Sequence, residues 1–146
     1  MTIAAIPTRR RVVSWSSAQT AYIWFVMAGL LAQGLGSLIL DFNDSLRQAM
    51  PYLLASLMNG NPPHAWLHII WGSGGLLYLS LDRGLAGRLR LGFIFGTFYT
   101  LLGFLGIIVH DPFGLRLELP ENAFHLTVGP LMLLLTSMAY RQRANG

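Results

Sequence analysis

Leu91-Gly-Phe-Ile-Phe-Gly-Thr-Phe-Tyr-Thr-Leu-Leu-Gly-Phe-Leu-Gly-Ile-Ile-Val109 contains no Asp, Glu, Lys or Arg, with Arg88 and Arg90 just before it and Asp111 just after. Crossing a bilayer core takes about 20 helical residues. In hydrocarbon every backbone N–H and C=O must be paired within the segment, which a helix achieves and an open strand does not. The run therefore reads as a transmembrane helix. Three further stretches free of those four residue types read the same way, about 21–40, 64–81 and 123–140. The 146-residue chain is 53% hydrophobic and 11% charged, against about 25% charged in soluble domains. Lipid is thus the expected solvent.

The charges orient the spans. Arg9, Arg10 and Arg11, the connection with Asp82, Arg83, Arg88 and Arg90, and Arg141 with Arg143 give one side eight Arg against one Asp. The other side holds Asp41, Asp44, Arg47, Asp111, Arg116, Glu118 and Glu121, two Arg against five acids. Basic residues of short loops concentrate in the cytoplasm, so four spans with both termini inside are expected. The chain divides into a basic cytoplasmic segment 1–20, a four-span domain 21–141 and a cytoplasmic tail 142–146. The first apolar stretch exceeds the 7–15 residues of a signal peptide and no A-x-A-like site follows, so it is expected to remain as a span. Every basic residue is Arg and sits beside an apolar segment, a pattern of membrane orientation with no nucleic acid implied.

An internal repeat organises the four spans. At an offset of 57, Pro63 meets Pro120, His68 meets His125, Gly72 meets Gly129 and Ser80 meets Ser137; at 70, Leu35-Gly36 meets Leu105-Gly106 and Asp41 meets Asp111. The expected fold is all-α, a polytopic membrane four-helix bundle of two tandem hairpins related by a pseudo-two-fold along the membrane normal. Gly92-x-x-x-Gly96 is a spacing that lets helices approach closely. In the outer connection, Asp44 to Met58 has the composition of an interfacial helix capped by Asp44 or Ser45, interrupted by Pro51.

Histidine is the chemistry-bearing residue. His64 and His68 share a helix face at i and i+4, His110 ends the third span and His125 opens the fourth. Three readings compete. Each His could sit at the interface and bond a carboxylate, carbonyl or water, which suits His64 and His110, nearest the ends. A tetrapyrrole could be held between His68 and His125, with Gly72 and Gly129 clearing room for a haem edge, or one His could ligate a chlorophyll. A divalent metal could take His64, His68, His110 and His125 with Asp111 or Glu121. The cofactor stays open between haem, another tetrapyrrole and a divalent metal.

With no Cys there are no disulfides, thiolate zinc sites or catalytic thiols. No phosphate-binding P-loop, GxSxG elbow or HExxH motif occurs, and the spans lack the acid and base residues of a proton relay. A non-catalytic accessory or structural role is expected, in the lipid bilayer and in contact with a larger membrane protein complex or a homo-oligomer. Asn61-Pro-Pro-His64 with His68-Ile-Ile-Trp-Gly72, and Asn122-Ala-Phe-His125 with Gly129, resemble the paired helix starts of an uncharacterised family of small bacterial four-helix integral membrane proteins, a domain of unknown function. Gly103-Phe-Leu-Gly106 resembles that family's third helix, and the likeness covers about 62–141. His64 fits the family's Asn-x-x-His form, whereas the offset of 57 selects His68. The resemblance implies a bacterial inner membrane and four spans, and no reaction.

Overall fold

The computed structural model describes residues 14–51, 58, 61–81, 83–109 and 111–145. The chain is all-helical: α1 Trp15–Asp41, α2 Asp44–Ala49, α3 Pro62–Ser80, α4 Gly84–Val109, a 3-10 turn Pro112–Gly114, and α5 Leu119–Ala144, with no strand among the described residues. Helices α1, α4 and α5 are long and apolar enough to cross a membrane. The fourth expected span, α3, is the 19-residue exception among the long helices. Its first two turns hold Pro62, Pro63, His64 and His68, which lower its mean hydropathy.

The helices begin before the apolar windows because polar residues start them. Ser14 caps α1, its hydroxyl accepting from the Ser17 N–H, and one such cap is worth about 1 kcal/mol. Proline opens both α3 and α5, where its missing N–H would have no helical partner anyway. The cap of α2 is Asn43, which accepts from the Leu46 N–H at 3.0 Å. This corrects the expectation of Asp44 or Ser45: Asn43 alone has the non-helical backbone a cap requires. Helix α2 stops at Ala49, since the residue before Pro51 is held away from helical angles. Residues 52–57 of the longer helix expected there, and Arg9 to Arg11, lie outside the described residues.

Helix α1 packs on α3 and α4 on α5; α1 also lies along α5 but makes few contacts with α4. The Trp15 N–H bonds Gln142 Oε1 at 2.8 Å, tying the start of α1 to the end of α5. Between the helices lie Ile23, Met27 and Leu30 of α1, Phe95 and Tyr99 of α4, and Val128 and Met132 of α5. Lipid tails are as apolar as these side chains, so close approach rather than water exclusion must hold transmembrane helices together. Two glycines supply it. A Cβ on Gly72 would meet Leu31 N at 2.5 Å, and one on Gly129 would meet Thr100 N at 2.6 Å. The outward faces are apolar, with Phe25 75% and Ile108 77% exposed.

Candidate metal centre

The centre is set up by the two Asn-x-x-His helix starts. Asn61 precedes α3 and Asn122 lies in the first turn of α5, and both are buried. Neither caps its own helix through the side chain. Instead Asn61 Nδ2 donates to Gly114 O at 2.9 Å, and Asn122 Nδ2 donates to Leu117 O at 3.0 Å. Both carbonyls belong to the loop between α4 and α5, which these bonds fasten to the ends carrying the histidines. The loop contains two non-glycine residues with positive φ, Phe113 (60°) and Arg116 (46°). Such backbone costs about 1–3 kcal/mol per residue and persists where its surroundings over-determine it. Here the restraints are the two Asn bonds, an Arg116 N–H bond to Asp111 Oδ1 at 2.8 Å, and burial of Leu115 and Leu117 against Leu102.

Below that loop His64, His68 and His125 converge. The His64 and His68 rings are 4.4 Å apart between centroids, and His125 lies 5.5 Å from His64 and 6.0 Å from His68. One nitrogen from each ring falls within 4.8 Å of the others. All three are buried, His125 completely. Tyr99 of α4 closes one side, 5.1 Å from the His125 ring and stacked 6.1 Å from His68, while Phe124 packs against both His68 and His125.

Among the described residues several of these nitrogens have nothing to bond. His64 Nε2, His68 Nε2 and both ring nitrogens of His125 are buried without a hydrogen-bond partner, as are Tyr99 OH, Asn122 Oδ1 and Glu121 Oε2. A buried polar atom left unpaired costs about 1–3 kcal/mol, and native proteins hold few of them. The four imidazole nitrogens belong to three rings that meet, and they call for a shared partner. Imidazole suits zinc, copper, iron or nickel. With metal–nitrogen bonds of about 2.0–2.1 Å, tetrahedral ligand nitrogens sit roughly 3.4 Å apart, so modest ring rotation within the trio meets the requirement. Three imidazoles leave a fourth position open.

The other expected site residues fall elsewhere. His110 lies outside the described residues. Asp111 is exposed, bonded within its own loop, and is not among the groups that meet the trio. Gly72 and Gly129 are filled over by Leu31 and Thr100, so their missing side chains serve helix contact rather than a ring edge. His64 departs from the interfacial expectation, being 5% exposed with an unpartnered Nε2. Sequence reasoning missed Tyr99, whose hydroxyl has no signature in an apolar helix, and the loop-tying role of Asn61 and Asn122. Glu121, 3% exposed, is the one acid among the buried described residues. It sits a helical turn from His125 on the same face of α5. Neither family models, curated proteins nor solved structures gave a match to this chain.

Proposed function

We propose that this chain is a small integral membrane protein of non-catalytic, accessory type that holds one divalent transition-metal ion between His64, His68 and His125. The observation that carries the reading is the convergence of three buried imidazoles with nitrogens that lack a hydrogen-bond partner among the described residues. Buried Glu121 supports it, since a dication among three neutral ligands in a low-dielectric interior needs negative charge nearby. The test is metal content and Co²⁺ binding of the purified protein. One equivalent of Co²⁺ with an imidazole-ligated visible spectrum, lost in His68→Ala and His125→Ala, is expected. Undiminished binding by a variant lacking all three histidines would remove the proposal.

The proposed setting is a four-span bundle of two hairpins in a bacterial inner membrane, both termini cytoplasmic and the metal centre toward the outer side. Its support is the division of Arg between the two sides and the partner of each glycine. Gly72 of α3 seats on Leu31 of α1, and Gly129 of α5 seats on Thr100 of α4, within one residue of the position that the offset of 70 pairs with Leu31. An accessory role beside a larger membrane complex or a second copy has its own support. A Cβ on Gly29 or Gly74 would meet nothing within 4 Å, so these glycines leave shallow places on the apolar exterior where another helix can approach. Recovery of the protein solely as a monomer after gentle solubilisation would count against that role.

A further inference from the structure

At the end of the molecule away from the histidines, α1 and α4 begin side by side and stay apart, leaving a cleft of about 400 Å³. Ser16, Ser17, Thr20 and Ala21 of α1 and Leu85 and Arg88 of α4 line it. The lining thus offers three hydroxyls, one guanidinium and no acid. Arg88 Nε is buried without a hydrogen-bond partner, and the described residues give Arg88 no ion pair. Its backbone is held in place by Gln19, fully buried, whose Nε2 donates to Arg88 O at 3.2 Å. Among the described residues the Ser17 hydroxyl donates to Ser14 Oγ at 3.1 Å, and the Ser16 hydroxyl lies 3.0 Å from the same oxygen. Ser16, accepting from Ser14, keeps its proton for the cleft, and Ser17 Oγ keeps room to accept. The lining comes from the first two turns of two long helices, whose dipoles add positive potential at that point.

We propose that this cleft binds the phosphate of an anionic glycerophospholipid. Arg88 meets the phosphate oxygens, Ser16 and Thr20 donate to the phosphate, Ser17 Oγ accepts from a headgroup hydroxyl, and Ala21 and Leu85 lie beside the first acyl carbons. Basic pockets between transmembrane helices at headgroup depth are suited to such lipids. The apolar part of the lining, Ala21 and Leu85, suits a headgroup that continues into acyl chains, which a free anion does not need. The reading is independent of the metal centre.

The test uses the full chain in neutral detergent, titrated with short-chain phosphatidylglycerol, the matched phosphatidylcholine or inorganic phosphate, with adducts followed by native mass spectrometry. One cation at the membrane surface is worth about a kcal/mol, so phosphatidylglycerol should bind about fivefold tighter than phosphatidylcholine. Arg88→Gln should abolish that preference, and Arg83→Gln, an exposed neighbour outside the cleft, should leave it intact. Should Arg88→Gln fail to fold, Thr20→Val combined with Ser17→Ala reads the same site, with partial loss expected. Equal weakening by Arg83→Gln, no preference for phosphatidylglycerol, or an unchanged preference in both cleft variants would overturn the proposal. Binding of inorganic phosphate as tight as that of the lipid would overturn the assignment to a lipid.

Discussion

Replacing His125 by Leu separates the metal reading from the interfacial one, because it should act with opposite sign on the metal-free and metal-loaded protein. His125 is completely buried with both ring nitrogens unpartnered. In the metal-free protein each orphaned nitrogen costs about 1–3 kcal/mol. Leu has similar bulk, and its different shape costs less than about 1.5 kcal/mol. The metal-free variant should therefore be more stable by about 2 kcal/mol, which for a chain of this size is roughly 4–8 °C in Tm. Metal adds the opposite term. At a hundredfold excess over Kd the wild type gains about 2.7 kcal/mol, while a site reduced to two imidazoles gains little. The four tryptophans allow thermal unfolding to be followed by intrinsic fluorescence in neutral detergent, with chelator or with Co²⁺. Expected are a higher Tm than wild type with chelator and a Co²⁺ response close to zero. A variant less stable than wild type in chelator would mean that His125 makes hydrogen bonds of its own, and the argument from unpartnered nitrogens would fail.

Four further outcomes are expected. Gly72→Ala and Gly129→Ala, which force a Cβ against the Leu31 and Thr100 backbone, should each lower stability by about 1–3 kcal/mol in the same melt; Gly74→Ala, facing open space, should leave it unchanged or raise it, since Ala is the better helix former. Asn61→Ala or Asn122→Ala should release the loop at 112–117, costing about 1–2 kcal/mol and raising its hydrogen exchange, while exchange in the middle of α4 stays protected. Glu121→Gln should weaken Co²⁺ binding by about tenfold, within the range for residues that support metal ligands, with melting in chelator unchanged; equal affinity would show that the carboxylate does not assist the ion. Because the chain has no Cys, single cysteines placed at exposed Ser14, Asn43, Phe113 and Asn145 can be labelled with an impermeant maleimide in sealed vesicles. Four spans put Ser14 and Asn145 on one side and Asn43 and Phe113 on the other, whereas three crossing helices would separate Ser14 from Asn145.

The helices were legible from the sequence and their limits were not. Hydropathy reports where a helix is apolar, so it marked about 91–109 and 123–140, whereas the helices run Gly84–Val109 and Leu119–Ala144. The added turns carry Arg88, Arg90, Glu121 and Arg141, which hydropathy excludes and helix geometry does not. The repeat singled out His68 and His125, and the i, i+4 spacing put His64 on the face of His68. What spacing could not give is the rotation of α5 about its axis, on which the meeting of His125 with the α3 pair depends. Glu121 was legible as an alternative to Asp111, but Tyr99 was hidden for a related reason: whether a Tyr in an apolar run faces lipid, water or protein is decided by the neighbouring helix.

The same competition explains why α3 falls short as a membrane span. Its two histidines and two prolines sit in its first two turns, where they lower its apolarity; in the folded chain the prolines are exposed and the histidines join the His cluster. A helix that carries polar ligands to the interior gives up partition free energy and must regain it from protein contacts. Helix α3 does so against α1, with Gly72 on the Leu31 backbone and Gly75 over Met27, and through the Asn61 bond to Gly114. The weakest of the four helices by hydropathy is thus held chiefly by one neighbour, α1. Conflict between a local preference and the overall fold is expected where function has been built in. In this chain the conflict falls on His64 and His68, the two residues that α3 contributes to the proposed metal ligands.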